Sequence, residues 1–181
     1  NGCEGKETRV EIYARGAKVA LFLNGKPMGE KALDRDSRAA FRVAWQPGEL
    51  TAVVYGQDGA ELGRASLRSA GEETVLAAEP ERDTVRPGGL CYVRLRYTDE
   101  TGLLKPLARG DIKVEVEGGT LLALGSACPY NERGYLTDTT DTYYGQALAV
   151  IRADGSGDVT IRAESPFGAA LASIPCSEKQ V

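Results

Sequence analysis

The residues of this chain best placed to do chemistry are tyrosines. Tyr130, Tyr135, Tyr143 and Tyr144 gather in and beside one long polar stretch, GSACPYNERGYLTDTTDT at 125–142, with Asn131, Glu132 and Gln146 among them. An aromatic face gives a platform for the CH face of a sugar ring, and amides and carboxylates bind its hydroxyls. Tyr130, Tyr143 and Tyr144 are therefore candidate carbohydrate-binding residues. The simpler reading is that the tyrosines seal the loop against the body of the fold with their hydroxyls hydrogen-bonded.

Other chemistry is poorly supplied. The chain has no histidine, which removes the usual general base, the Ser-His and Cys-His nucleophile pairs and the commonest zinc ligand. Cys3, Cys91, Cys128 and Cys176 are far apart with no Cys-x-x-Cys pair, so they make no metal site. Cys91 falls on the inward face of a strand and reads as a buried free thiol. In an exported protein four cysteines allow three disulfide connectivities, which spacing does not separate. Asp138, Asp141 and Asp154 lack the alternating ligand spacing of a calcium loop and read as solvated loop acids. A glycosidase carboxylate pair is defined in space, so the 26 acids give no sign of one. The Gly-Ser-Gly at 155–157 lacks the strand-to-helix setting of a phosphate loop and is a turn. No catalytic residue, cofactor or metal is assigned.

Whatever positions the tyrosines must be β-structure. Val19, Leu21 and Leu23 alternate with Ala20 and Phe22, the period of a strand with one face in a core. Asn24-Gly25 follows, the strongest short hairpin signal because both residues tolerate positive φ. Strands are expected at 9–13, in the 18–33 hairpin, and at 40–45, 50–55 and 62–67, with turns at Gln46-Pro47-Gly48 and Gln57-Asp58-Gly59. Six or seven strands at about ten-residue spacing mark a small sandwich. Trp45, in phase with Phe41 and Val43, is placed in its core, and residues 1–6 read as a disordered lead-in or cloning remnant. Ser69–Glu73 is a polar joint. Beyond it strands are expected at 75–78, 90–99, 112–117, 121–124, 143–152, 159–163 and 169–174. The clearest of them puts Cys91, Val93, Leu95 and Tyr97 on one face. Helical signal is thin throughout.

The charge is −4, from 22 Lys and Arg against 26 Asp and Glu, and 42% of residues are hydrophobic. That balance lacks the basic footprint of a nucleic-acid binder. No apolar run approaches the roughly 18 residues that span a bilayer, so a soluble chain with no membrane partner is expected. Its abrupt ends suggest a piece of something longer, with the compartment left open.

Two runs in the first half, VALFLNGKPMG at 19–29 and FRVAWQPGELTAVVYGQDG at 41–59, resemble the domain that follows the catalytic barrel in bacterial glycoside hydrolase family 2 enzymes of the β-galactosidase and β-glucuronidase group. In the second half YVRLRYTDETGLLKPLA at 92–108, VEVEGGTLLALGSACP at 114–129 and TYYGQALAVIRADGSGDVTIRAES at 142–165 resemble the immunoglobulin-like C-terminal domain of the same enzymes. Where relatives often read Gly-Asn-Gly-x-Pro, this chain has Gly125-Ser126-Ala127-Cys128-Pro129. The resemblance implies an all-β chain of two tandem immunoglobulin-like β-sandwich domains, at 7–69 and 73–178. It carries over no catalytic residue, because the family's catalytic glutamates lie on a barrel of about 250 residues that is absent here. It implies a non-catalytic fragment whose partners are the catalytic barrel of the parent chain and, through the parent, further copies of it. The alternatives are a carbohydrate-binding module using the three tyrosines and an adhesin-like surface stalk.

Overall fold

The computed structural model of the chain describes residues 4–177, and within them every regular element is a strand. Cys3 lies outside the described residues. The chain divides into two compact units, 1–69 and 70–181.

The first unit has six strands: β1 (Glu7–Tyr13), β2 (Lys18–Leu23), β3 (Lys26–Ala32), β4 (Arg38–Ala44), β5 (Glu49–Tyr55) and β6 (Glu61–Arg68). They form a four-stranded layer, β3-β2-β5-β6, and a two-stranded layer, β1-β4, with all pairings antiparallel. The β2–β3 hairpin turns at Asn24 and Gly25, with φ of 51° and 75°, the left-handed pair a type I′ turn requires. Asn24 also fastens the next connection, its Nδ2 donating to the Pro47 carbonyl at 3.1 Å and its Oδ1 accepting from the Glu49 N–H at 2.8 Å. Gly48 lies so close to that amide that a Cβ would overlap it. Val19, Leu21 and Leu23 meet Ala39, Phe41 and Val43 between the layers.

Trp45 is not part of that core. β4 ends at Ala44, and Trp45 is half-buried outside the cluster. Its backbone continues the β1–β4 ladder instead, its N–H donating to the Lys6 carbonyl and its carbonyl accepting from the Gly5 N–H, each at 2.9 Å. Residues 5 and 6 are thus paired rather than a disordered lead-in.

The second unit contains β7 (Val75–Pro80), β8 (Leu90–Thr98), β9 (Ile112–Glu117), β10 (Gly119–Gly125), β11 (Thr139–Thr140), β12 (Gln146–Ala153), β13 (Val159–Ser165) and β14 (Gly168–Ile174). One layer runs β7-β8-β12-β10 and the other β11-β9-β13-β14. Leaving out the two-residue β11 and lettering the strands A to G, the layers read A-B-E-D and C-F-G, the immunoglobulin order. By the same comparison the first unit has B, C, C′, E, F and G but neither A nor D. The inward row Cys91, Val93, Leu95 and Tyr97 packs against Ile112, Val114, Ile151, Val159 and Ile161. Burying each aliphatic side chain of that size contributes about 1.5–3 kcal/mol. Cys91 is a buried free thiol, and Cys128 and Cys176 are also unpaired.

The joint expected to be merely polar is bonded into the second unit. Asp99, 3% exposed, accepts the Gly71 N–H on Oδ2 and the Thr101 N–H, the Thr101 hydroxyl and the Leu103 N–H on Oδ1. Lys105 Nζ donates to the carbonyls of Gly71, Glu72 and Glu73. The Gly71 N–H and the other donors hold the Asp99 pKa down, at about 2.

Candidate functional site

Three connections of the second unit leave strand ends that lie together: β8 to β9, β10 to β12, and β13 to β14. Their side chains bond across one another. Arg109 donates to Asp141 Oδ2 at 2.9 Å, while Asp141 Oδ1 accepts from the Gly110 and Thr142 N–H groups. Arg133 forms a two-pronged pair with Asp111, both contacts at 3.0 Å. The Tyr97 hydroxyl donates to the Gly110 carbonyl at 3.0 Å, and its ring meets Phe167 edge-on with centroids 4.9 Å apart. Burial raises the pKa of that hydroxyl. These bonds give the long 126–138 segment a fixed floor even though it has almost no strand of its own.

The tyrosines divide on this floor. Tyr143 and Tyr144 stand together, centroids 4.5 Å apart and planes at 67°. The expected strand from Tyr143 begins instead at Gln146, because Tyr144 and Gly145 turn the chain. Tyr143 and Gln146 exchange backbone hydrogen bonds, and Tyr144 and Gly145 have φ of 49° and 70°. A bulky side chain in the left-handed region is uncommon and costs on the order of 1 kcal/mol. Gly145 is buried against the Lys105 carbonyl and Pro106, where a Cβ would overlap backbone, and the turn throws the Tyr144 ring outward, 60% exposed. The Tyr144 phenol beside it raises the pKa of Tyr143.

Tyr130 is 86% exposed and makes no ring contact with the pair. Tyr135 lies across Gly125, close enough that a Cβ there would strike its ring, and returns its carbonyl to the Leu124 N–H. Tyr135 nonetheless remains 52% exposed. Of the expected sugar-binding polar groups, Asn131 spends its Nδ2 on the Gly134 carbonyl, whereas Glu132 and Gln146 face solvent. The loop acids have structural work: Asp141 as above, Asp138 with the Thr139 hydroxyl, and Asp154 with the Ser156 N–H and hydroxyl. Among the described residues no group of three or more His, Cys, Asp or Glu side chains is placed to hold a metal ion. No motif announces the exposed Leu107 and Leu136 or the fastening of residues 71–73 by Asp99 and Lys105.

Family models match both units. The domain of unknown function DUF4982 matches residues 5–63. Glycoside hydrolase family 2 C-terminal domain 5 matches residues 76–170, more than half of the chain. This chain belongs to that family. As a glycoside hydrolase family 2 C-terminal chain it is similar to the beta-galactosidase BoGH2A of Bacteroides ovatus, 29% identical over 160 residues that make up 86% of this chain and 19% of that protein. It is also similar to a solved family 2 member from Bacteroides cellulosilyticus, at 28% identity and a TM-score of 0.89, over 98% of this chain and 24% of that one. A β-glycosidase from Bacteroides vulgatus shares the fold, with a TM-score of 0.82 at 21% identity over 96% of this chain and 23% of that one. The chain therefore spans between 19% and 24% of the length of these relatives, and it matches their C-terminal accessory region rather than the catalytic barrel.

Proposed function

We propose that this chain is a non-catalytic C-terminal part of a family 2 glycoside hydrolase, and that the longer protein cleaves glycosidic bonds of the β-galactoside type. Within it the two sandwiches brace the catalytic barrel or its oligomer. The observation that carries this reading is the likeness of nearly the whole chain, both units in order, to enzymes four to five times its length. The chemistry agrees with it, because Asp111 and Asp141 beside the long loop are occupied in holding that loop. The test is direct. The 181-residue chain is expected not to turn over nitrophenyl β-galactosides or β-glucuronides. The longer protein is expected to turn over at least one of them, and to lose thermal half-life or its oligomer when these residues are deleted. Turnover by the isolated chain overturns the reading.

A second reading, a carbohydrate-binding surface, is favoured by one observation: the exposed Tyr144 is held in a strained left-handed turn beside Tyr143, and strain of this kind concentrates at functional positions. It expects saturable binding of an oligosaccharide in calorimetric titration, lost in Tyr143→Ala and Tyr144→Ala and unaffected by Tyr130→Ala. Flat titrations with galactosides, glucuronides and plant oligosaccharides at millimolar concentration dispose of it.

A further inference from the structure

The turn between β2 and β3 is a reactive dipeptide in a particular mount. In an Asn-Gly pair the glycine nitrogen has no side chain beside it, which leaves it free to attack the carbonyl carbon of the asparagine amide. At Gly25 nothing lies within 4 Å of where a Cβ would stand, and Asn24 is exposed to water. The amide itself is held. Its Nδ2 donates to the Pro47 carbonyl and its Oδ1 accepts from the Glu49 N–H, while the Asn24 backbone N–H donates to the Glu49 carbonyl at 2.8 Å. Gly48 turns a bare Cα to that amide, since a Cβ there would overlap Oδ1. Asp-Gly forms the same left-handed turn, but an ionised carboxylate has no hydrogen to donate to Pro47. The 47–49 connection thus requires the reactive residue.

We propose that Asn24 is a covalent modification site, an amide that turns to acid at a rate set by the opening of its clasp on residues 47–49. The Gly25 nitrogen gives up its proton and bonds to Asn24 Cγ. The Cγ–Nδ2 bond breaks and ammonia leaves with that proton, closing a five-membered imide. Water then opens either C–N bond of the ring, giving Asp or the β-linked isoaspartate. While both ends of the amide stay on Pro47 and Glu49, it cannot swing to the Gly25 nitrogen, so the closed turn is the unreactive one. Either product undoes the clasp. Asp sets a carboxylate oxygen 3.1 Å from the Pro47 carbonyl oxygen, where a donor stood. Isoaspartate lengthens the backbone of a two-residue turn, and turn length fixes the register of a hairpin. Conversion therefore loosens the connection whose grip delays it, in a unit whose inner cluster is six buried residues.

The experiment ages the 181-residue chain in mildly alkaline buffer, folded and in concentrated urea. Peptide mass mapping with isoaspartate labelling follows Asn24 apart from the chain's other Asn-Gly, Asn1-Gly2. Folded Asn24 is expected to convert about thirtyfold more slowly than unfolded Asn24, the factor that two ordinary hydrogen bonds supply. Two variants open the clasp: Gly48→Ala fills the space of the amide, and Glu49→Pro removes the N–H at the first residue of β5, where proline is tolerated. Whichever keeps the Trp45 fluorescence transition of the first unit is expected to lose at least about fivefold of the protection, one bond's share. Asn24→Asp, the direct product, needs no ageing and is expected to lower the midpoint of that transition. Equal conversion in the folded and urea-unfolded chains overturns the proposal. So does a folded clasp variant that converts as slowly as the unaltered chain, or an Asn24→Asp chain as stable as the unaltered one.

Discussion

The two units spell the same architecture with unequal means. The second has a complete seven-strand sandwich and an inner cluster of eighteen buried residues, whereas the first lacks two strands and closes around six. The contrast shows what the outer strands of a sandwich do. A and D add few side chains to the centre, but they cover the flanks of the facing layer, and without them the core-side residues of β6 stand in water. A domain of some sixty residues is already marginal because little of its surface is buried, and a missing flank lowers its margin further.

Matched core truncations test that contrast most severely. Leu95→Ala and Leu21→Ala each remove a fully buried leucine, at about 3 kcal/mol apiece. The second unit is expected to stay folded after Leu95→Ala, with a lower melting transition. The first is expected to lose its cooperative transition altogether after Leu21→Ala. The single tryptophan, Trp45, lies in the first unit, so its fluorescence follows that unit while calorimetry follows both. A cooperative Trp45 transition surviving in Leu21→Ala would show that six buried residues suffice.

A smaller effect belongs to the second unit alone. Asp99 is held near 2 by N–H and hydroxyl donors when folded, against 3.8 for a free carboxyl. A folded pKa below the unfolded one contributes stability that is present above pH 4 and is lost as pH falls from about 4 through 2. Asp99→Asn is therefore expected to lower the second transition at pH 7 and to converge with the unaltered chain near pH 2, leaving the Trp45 signal unmoved. A pH-independent difference would mean that the carboxylate charge contributes nothing.

The smallest effect sharpens the picture at the loop pole. Tyr144 occupies a left-handed position that Asn tolerates and a β-branched residue does not. Tyr144→Asn is expected to stabilise by about 0.5 kcal/mol and Tyr144→Val to destabilise by about 1 kcal/mol, read as opposite shifts of the second transition. Equal shifts would mean that the ring, not the backbone, decides the turn.

What the sequence made legible follows the same physics. Alternation marked the strands wherever one face is buried, as with Cys91 to Tyr97, and Asn24-Gly25 announced its turn because few other pairs adopt that geometry. Trp45 misled because periodicity does not say where a strand ends. The strand start at Tyr143 misled because Tyr144-Gly145 is a rare spelling of a type I′ turn. The candidate tyrosines were visible as a cluster in sequence, yet only two of them share a ring contact, since the path of a loop depends on long-range bonds such as Arg133 to Asp111. The openness of β6 was hidden for a related reason. Residues 62–67 read simply as a strand, and nothing local reports that the strand which would cover its inner side is missing.

The fastening of residues 71–73 changes where the second unit can be cut. Counted by strands it begins at Val75, and the family match begins at 76. Counted by bonds it begins at Gly71. A fragment trimmed to the first strand discards the N–H held by Asp99 and all three carbonyls held by Lys105. Asp99 would then keep only its Thr101 and Leu103 donors, and the Lys105 ammonium would be left without the carbonyls of residues 71–73. The transplantable piece of this fold is thus longer than its recognisable one, by the few residues whose side chains say nothing.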